Sequence, residues 1–407
     1  MLLVRNAFTH DARVLRAAHA LEERGLDPLV VAVMSTTVRR AAERVEGLPV
    51  LRLDPTSPFA VLRRVSRRRR RGLGATPGAT TRPAADAASV PGPLLRLHRL
   101  LRTADFYRRA YGVVRRERPV LVHCNDWNTM WVGVLVRLAS RTAVVYDSHE
   151  LWPDRNGRPE PRWWLLACEA VFVRVAHVVV VASPGYADVM TRRYRMPRPA
   201  VVLNVPPAPP PAPAAPAAAP DLAVYVGGLQ PHRGLEPAIK ALALVPGLRL
   251  RLLGPGREDY RAGLRVLAAR NEVSDRVEFA RAVLPSEVLA GLRDAAFGLA
   301  LFEPMCLSHR LVAPNKVYEY MAAGIPVLAA DLPVMRAFVE EWGLGALTST
   351  EPVTVAAGMR QLLDPAVNLE LRRRAVAAAA EVTWARERTV LEDAYDRALA
   401  AAGGLDR

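Results

Sequence analysis

Cysteine is almost missing from this 407-residue chain: Cys124, Cys168 and Cys306 are the whole complement. An odd number at such wide spacing excludes a disulfide framework and the paired spacing of a zinc site, and points to a reducing cytosol. Lysine is scarcer still, with only Lys240 and Lys316 among 56 basic residues. No uncharged apolar run approaches the roughly 18 residues that would cross a bilayer, and Met1 leads straight into a strand-like segment instead of a cleavable leader. Transmembrane and secreted readings are therefore set aside, and a cytoplasmic protein is expected. Aromatic residues make up 6% of the chain, and none falls within the arginine run at 63–71. That removes the stacking platforms on which single-stranded nucleic-acid binders rely, so no nucleic-acid partner is expected.

What remains is ordinary globular material, 51% hydrophobic and 24% charged, long enough for two or three domains at about 150 residues each. The net charge of +16 is concentrated: residues 63–118 hold sixteen arginines against Asp86, Asp105 and Glu117, or +13. The run that opens at Arg63 and closes at Arg71 reads either as a solvated face or as a patch for an anionic surface. Two low-complexity segments punctuate the chain. Residues 72–93 lack any apolar period and read as a flexible loop, and the Pro/Ala-rich 206–220 reads as a stiff linker. Between these, short Val, Leu and Ile runs alternate with helical patterns. Strands are expected at 2–5, 29–33, 50–53, 120–123, 143–146, 177–181 and 201–203, then at 222–226, 248–253, 277–279, 297–302 and 326–329.

This alternation predicts an α/β chain of two Rossmann-like, doubly wound parallel-sheet domains facing a cleft: 1–205, then 221–382 beyond the linker. A last helical pattern at 383–407 either crosses back to the first domain or packs on its own. Ligands of open parallel sheets sit beyond the carboxyl ends of the strands, so chemistry is sought there. In the segment EPMCLSHRLVAPNKVYEYMAAGIPVLAA (303–330), Pro314 and Asn315 open a helix that Gly324 closes. The helix start offers unpaired N–H groups and a positive dipole end, and Lys316 adds a full charge, so an anion such as a diphosphate suits it. Glu319 lies three residues on, able to accept from a diol or, alternatively, to pair with Lys316. In VGGLQPHRGLE, Gly227 and Gly228 let the backbone approach a ligand and Arg233 can reach an anion; Gly254 ends the next strand the same way. Each glycine turn alone is also compatible with a plain loop. In the first half, polar clusters follow three strands: NAFTHD with His10 and Asp11, HCND with His123 and Asp126, and DSHE with Asp147, His149 and Glu150. They could orient hydroxyls or move protons, or serve as helix caps and structural hydrogen bonds. No metal-ligand spacing appears, and no required metal or cofactor is expected. Trp163, Trp164 and Phe172 have helical spacing and are expected in the core.

The stretches DARVLRAAHALEERG, VHCNDWNTMWVGVL, VVYDSHELWPD, VVVVASPGYADVM, VYVGGLQPHRGLEPAIKAL and APNKVYEYMAAGIPVLAADLP resemble the GT-B-fold glycosyltransferases, specifically the retaining family 4 group. The resemblance implies a nucleotide-sugar donor held by the second domain and an acceptor held mainly by the first. It implies that Glu319 binds the donor ribose, that Arg233 and Lys316 neutralise the diphosphate, and that the loop 303–315, beginning at Glu303, lies along the donor sugar. Gly227, Gly228, Gly254 and Asn315 complete the expected donor site. Lys316, Arg233 and His123 are the expected catalytic groups, with His10, Asp126, His149 and Glu150 orienting the acceptor or sugar. The chain departs from the family where Leu311 stands eight residues before Glu319 in place of a glutamate, where Gly228 replaces a phosphate-binding arginine, and where Asn125 replaces a histidine. Retention is implied by the resemblance; an inverting reaction would need a base, for which His10 beside Asp11, or His123, is placed. An epimerase or a phosphorylase shares this architecture, and a basic binding protein without catalysis is the remaining alternative. The arginines of 63–71 are expected to touch an anionic membrane surface bearing a lipid-linked acceptor.

Overall fold

The computed structural model describes residues 1–9, 11–35, 38–56, 93–157, 160–207 and 221–403. His10 and the arginine run 63–71 lie outside them, as do the segments 72–93 and 206–220 except for residues 93, 206 and 207. Two parallel sheets organise the chain. The first joins β1 (Leu2–Leu3), β2 (Val30–Val33), β3 (Ala42–Val45), β4 (Leu48–Leu53), β5 (Leu121–Asn125), β6 (Ala143–Ser148), β7 (Val178–Val181) and β8 (Ala200–Val201) in the order β3-β4-β2-β1-β5-β6-β7-β8. The second joins β9 (Leu222–Val226), β10 (Arg249–Leu253), β11 (Val277–Ala280), β12 (Phe297–Ala300), β13 (Val327–Ala330) and β14 (Gly345–Thr348) in the order β11-β10-β9-β12-β13-β14. Every residue of β6 and of β9 is buried, as the continuous apolar runs of a sheet covered on both faces require. All pairings are parallel except the β3–β4 hairpin, which adds an antiparallel edge.

In each sheet the chain reverses its winding beside the first strand. β1 lies between β2 and β5, and β9 between β10 and β12. Those are the switch points where the loops after the strands splay apart and leave a crevice. The helix Trp384–Ala401 packs against β6, β7, β8 and the helix Ala12–Glu23 of the first sheet, with Leu391, Ala394, Tyr395 and Ala398 buried beside Leu2, Val4 and Val14. Thr383 starts it by accepting from the Arg386 amide. Burying one leucine such as Leu391 contributes roughly 1.5–3 kcal/mol, so this packing is a substantial attachment.

One expectation is corrected here. Trp163 and Trp164 are not core residues: they stand 69% and 44% exposed at the start of the helix Arg162–Val175, while Phe172 of the same helix is fully buried. Helical spacing identifies a shared face but does not say which face meets the sheet. Among the described residues no helix is long and apolar enough to cross a membrane.

Candidate active site

A cavity of about 840 Å³ opens where the strand ends of the two sheets face each other. The first sheet contributes Asn6, Thr9, Asp11, Arg13, His149, Glu150 and Tyr186, and the second Gly227, Gly228, Arg233, Gly254, Asn315, Lys316 and Glu319. The volume suits a medium-sized polar ligand or two smaller ones.

On the second side, the helix Asn315–Ala322 begins at Pro314, which is extended (φ −77°, ψ 138°) and supplies no side-chain cap. In its first turn the Val317 amide bonds back to the Pro314 carbonyl at 3.1 Å, and Asn315 and Lys316 line the cavity. Lys316 is only 6% exposed, with its ammonium 4.1 Å from the centre of the Tyr225 ring and 4.7 Å from that of Phe302. The guanidinium of Arg233 lies 4.5 Å from the same Phe302 ring. Among the described residues no carboxylate comes within ion-pair distance of either cation, so the Lys316–Glu319 pair that the helix spacing allowed does not form. Burial first, and then the charge of Arg233, push the Lys316 ammonium well below the ordinary lysine range, with Glu319 opposing. Burial likewise raises the Glu319 carboxyl, against the pull of Arg16 and Lys316. A buried lysine and a half-buried arginine stacked on one aromatic ring, with no described carboxylate in reach, suit an anion.

The glycine turns make room for it. Gly227 has φ 125° and Gly254 φ 152°, and the two turns are joined by the Gly227 amide to Leu253 (3.0 Å) and the Leu229 amide to Pro255 (2.7 Å). Glu303 does not line the cavity. Its carboxylate is held by His232 Nδ1 at 2.9 Å, and the His232 carbonyl accepts from its amide.

On the first side, Asp11 accepts from the Val14 amide (3.2 Å) and is a helix cap as well as a wall residue. Arg13 reaches behind the wall to grip Asp147 with two hydrogen bonds, 2.8 and 2.7 Å, and Asn204 at 3.1 Å. His149 lines the cavity between Asp147 (3.4 Å) and Asp126 (3.6 Å). Burial would lower its pKa, but the two carboxylates outweigh it and raise the imidazole to about 9, a cation at neutral pH. Asp126 supports His149 from outside the lining, also accepting the His149 amide at 3.2 Å. Glu150 lines the cavity and pairs with Arg155. His123 does not reach the cavity. It has no exposed surface, bonds to Tyr395 and Asp147, and is kept neutral by burial, so it cannot touch an acceptor.

Reasoning from the sequence missed Arg13, Arg16 and Glu169. The last is fully buried, accepting from Tyr146 (2.9 Å) and Tyr194 (2.6 Å), and its burial, only partly offset by those donors, lifts the carboxyl to about 7. A carboxyl raised above its unfolded value of 4.5 contributes stability that is complete below about pH 4.5 and lost as pH rises through about 7. That span is worth roughly 3 kcal/mol. Urea midpoints at pH 5 and pH 8 test it: the wild-type protein is expected to weaken across the interval, and Glu169→Gln to lose most of that dependence. An equal pH dependence in both would rule this origin out.

Comparison with known proteins places this geometry in a family. Residues 10–207 match the family described as Glycosyl transferase 4-like domain, and residues 213–382 match Glycosyl transferases group 1. Among curated relatives, D-inositol 3-phosphate glycosyltransferase of Acidothermus cellulolyticus is 33% identical over 40% of this chain, a match spanning 38% of that protein. The protein of that name from Mycobacterium avium is 27% identical over 76% of this chain and 78% of its own. Among solved structures, sucrose-phosphate synthase from Thermosynechococcus elongatus superposes with a TM-score of 0.74 at 17% identity, covering 98% of each chain. Anabaena HepE, in complex with UDP and glucose, gives 0.69 at 16%, covering 97% of this chain and 98% of that one. The two matched families together span both sheets except β1 and most of the cavity between them, and the chain belongs to the GT-B glycosyltransferases of the family 4-like group.

Proposed function

We propose that this enzyme transfers a glycosyl group from a nucleoside-diphosphate sugar to an acceptor hydroxyl, with retention of configuration and without a required metal. The observation that carries the reading is the pair Lys316 and Arg233, unpaired with any described carboxylate and stacked on Phe302 beside the open start of the helix Asn315–Ala322. Breaking the anomeric bond builds negative charge on the departing diphosphate. Cations and amides fixed in advance stabilise that charge most where water is excluded. HepE, solved with UDP and glucose, supports a donor of this class. Glu319, in the same wall, accepts from the ribose diol, and Gly227, Gly228 and Gly254 let the diphosphate lie against the backbone. Asn6, Asp11, His149 and Glu150 face the acceptor. In the retaining course the acceptor hydroxyl attacks from the face that the diphosphate leaves and gives its proton to the leaving oxygen, so His123, sealed from the cavity, has no role as a base.

The test is product stereochemistry followed by proton NMR from a screened set of nucleoside-diphosphate sugars, with chelator present. A product of unchanged anomeric configuration, formed at an undiminished rate in chelator, is expected; an inverted centre or a chelator-sensitive rate overturns the corresponding half of the proposal. For the acceptor we propose a lipid-linked molecule presented at an anionic membrane surface. Support comes from the exposed Trp163 and Trp164 together with the exposed Arg96, Arg99 and Arg137 of helices on the same side of the first sheet. The protein is expected to float with vesicles rich in anionic lipid and to stay behind with neutral ones. Trp163→Ala with Trp164→Ala should weaken flotation, and equal recovery from both vesicle types would defeat the membrane reading.

A further inference from the structure

The helix Trp384–Ala401 does more than pack. We infer that Tyr395 is a positioning residue for the acceptor side of the cavity, its hydroxyl fixing, through His123 and Asp147, the hydrogen-bonding state of His149. The chain of contacts is continuous. Tyr395 Oη lies 2.9 Å from His123 Nδ1 and His123 Nε2 lies 3.2 Å from Asp147 Oδ2, both hydrogen bonds, and the same oxygen lies 3.4 Å from His149 Nε2 as an ion-pair contact. Tyr395, His123 and Asp147 are at most 1% exposed, so no water competes for these bonds.

Donor and acceptor counting sets the direction of each bond. Asp147 is an anion gripped by Arg13 through both oxygens and can only accept. His123 must therefore present Nε2–H to it, which leaves Nδ1 as a bare lone pair. Among the described residues Tyr395 is the one group placed to donate to that lone pair, and no other acceptor is described for its hydroxyl. The tyrosine thus locks one tautomer of a neutral imidazole and discourages a second proton on it. Without that lock, the buried Nδ1 of His123 has no donor and the imidazole is free to exchange tautomers, which withdraws the Nε2–H from Asp147. The groups facing His149 are Asp126 after β5, Asp147 in β6, Arg13 on the helix Ala12–Glu23 and His123 in β5. Removing the Nε2–H of the last from Asp147 changes the field that this carboxylate puts on His149.

This rests on the reading above only in taking His149 as the residue that meets the acceptor; the wiring can be read without turnover. In protein labelled at histidine, long-range nitrogen–proton correlations are expected to show His123 protonated at Nε2 and bare at Nδ1, and the opposite tautomer would refute the inference. In Tyr395→Phe, which keeps the ring packing, the Nε2–H tautomer of His123 is expected to give way to a mixture and the His149 titration to rise by about half a pH unit, because Asp147 loses a donor. Leu391→Ala loosens the same helix without touching the hydroxyl and should leave the His149 titration where it is. Unchanged titration in Tyr395→Phe, or an equal displacement in both variants, would reduce Tyr395 to packing. A failed product assay with displaced titrations would instead count against the proposed reaction and leave the wiring standing.

Discussion

Lys316→Ala is expected to lower turnover about 10²–10³-fold, the usual cost of removing one fixed stabiliser of developing charge. It should also abolish the thermal stabilisation that nucleoside diphosphates confer. The size of the effect follows from where the lysine sits. Its ammonium has been taken out of water, stacked on Tyr225 and Phe302, and placed near Arg233 with no described carboxylate in ion-pair reach. Such a group is costly in the empty enzyme and is relieved only when an anion arrives, so binding free energy is concentrated on it. Because burial and Arg233 hold its pKa well below the ordinary lysine value, diphosphate binding should also draw in a proton, seen in calorimetry as a heat that varies with buffer ionisation. The control is built into the composition. Lys240, the only other lysine, is exposed at the end of the helix Leu235–Ala243, and Lys240→Ala should change neither readout. A diphosphate that stabilises wild type and Lys316→Ala alike would move the donor site elsewhere.

The donor half of the cavity was legible because its signals are local. A strand, a loop, Pro314–Asn315 and a glycine stop lie within thirty residues, and a lone lysine stands out in a chain that otherwise uses arginine. The same arginine bias hid Arg13 and Arg16: a residue type so common invites discounting, although their spacing of three along a helix that opens at a strand end placed both on one side. Edge strands were missed for a different reason. β3 alternates exposed Ala42 and Arg44 with half-buried Glu43 and Val45, a pattern too polar to register, and β14 is four residues long and begins with glycine. Tyr395 could not be anticipated at all. It meets His123 across 272 residues, and nothing in either neighbourhood announces the other. His123 looked catalytic because a histidine at a strand end commonly faces the ligand, but its side chain points toward the terminal helix instead.

Alanine at Gly254 is expected to damage the second domain severely. The residue has φ 152°, outside the range that a side chain tolerates, and a Cβ there would lie 2.1 Å from the Gly227 carbonyl oxygen. That oxygen cannot retreat. The Gly227 amide is bonded to Leu253 and the Leu229 amide to Pro255, so the two glycine turns are pinned against each other from both flanks. The demand for glycine at 254 thus comes from packing of turn on turn as much as from approach of a ligand, and relieving the clash means separating the ends of β9 and β10. A cost of about 3 kcal/mol or more is expected, roughly 10 °C in melting temperature for a unit of this size. Diphosphate binding should go with it, because the turn carrying Gly227 lies against Lys316, whose ammonium would be 3.7 Å from a Cβ at that position. Gly228→Ala supplies the contrast, since its Cβ would meet only the flexible end of Gln230, at 3.2 Å. It should melt within about 2 °C of wild type, so any loss of diphosphate binding there reports the ligand's approach and not a broken fold. If Gly254→Ala behaves as Gly228→Ala does, the two turns are not pinned, and the shape of the diphosphate site must be set by the helix at Asn315 alone.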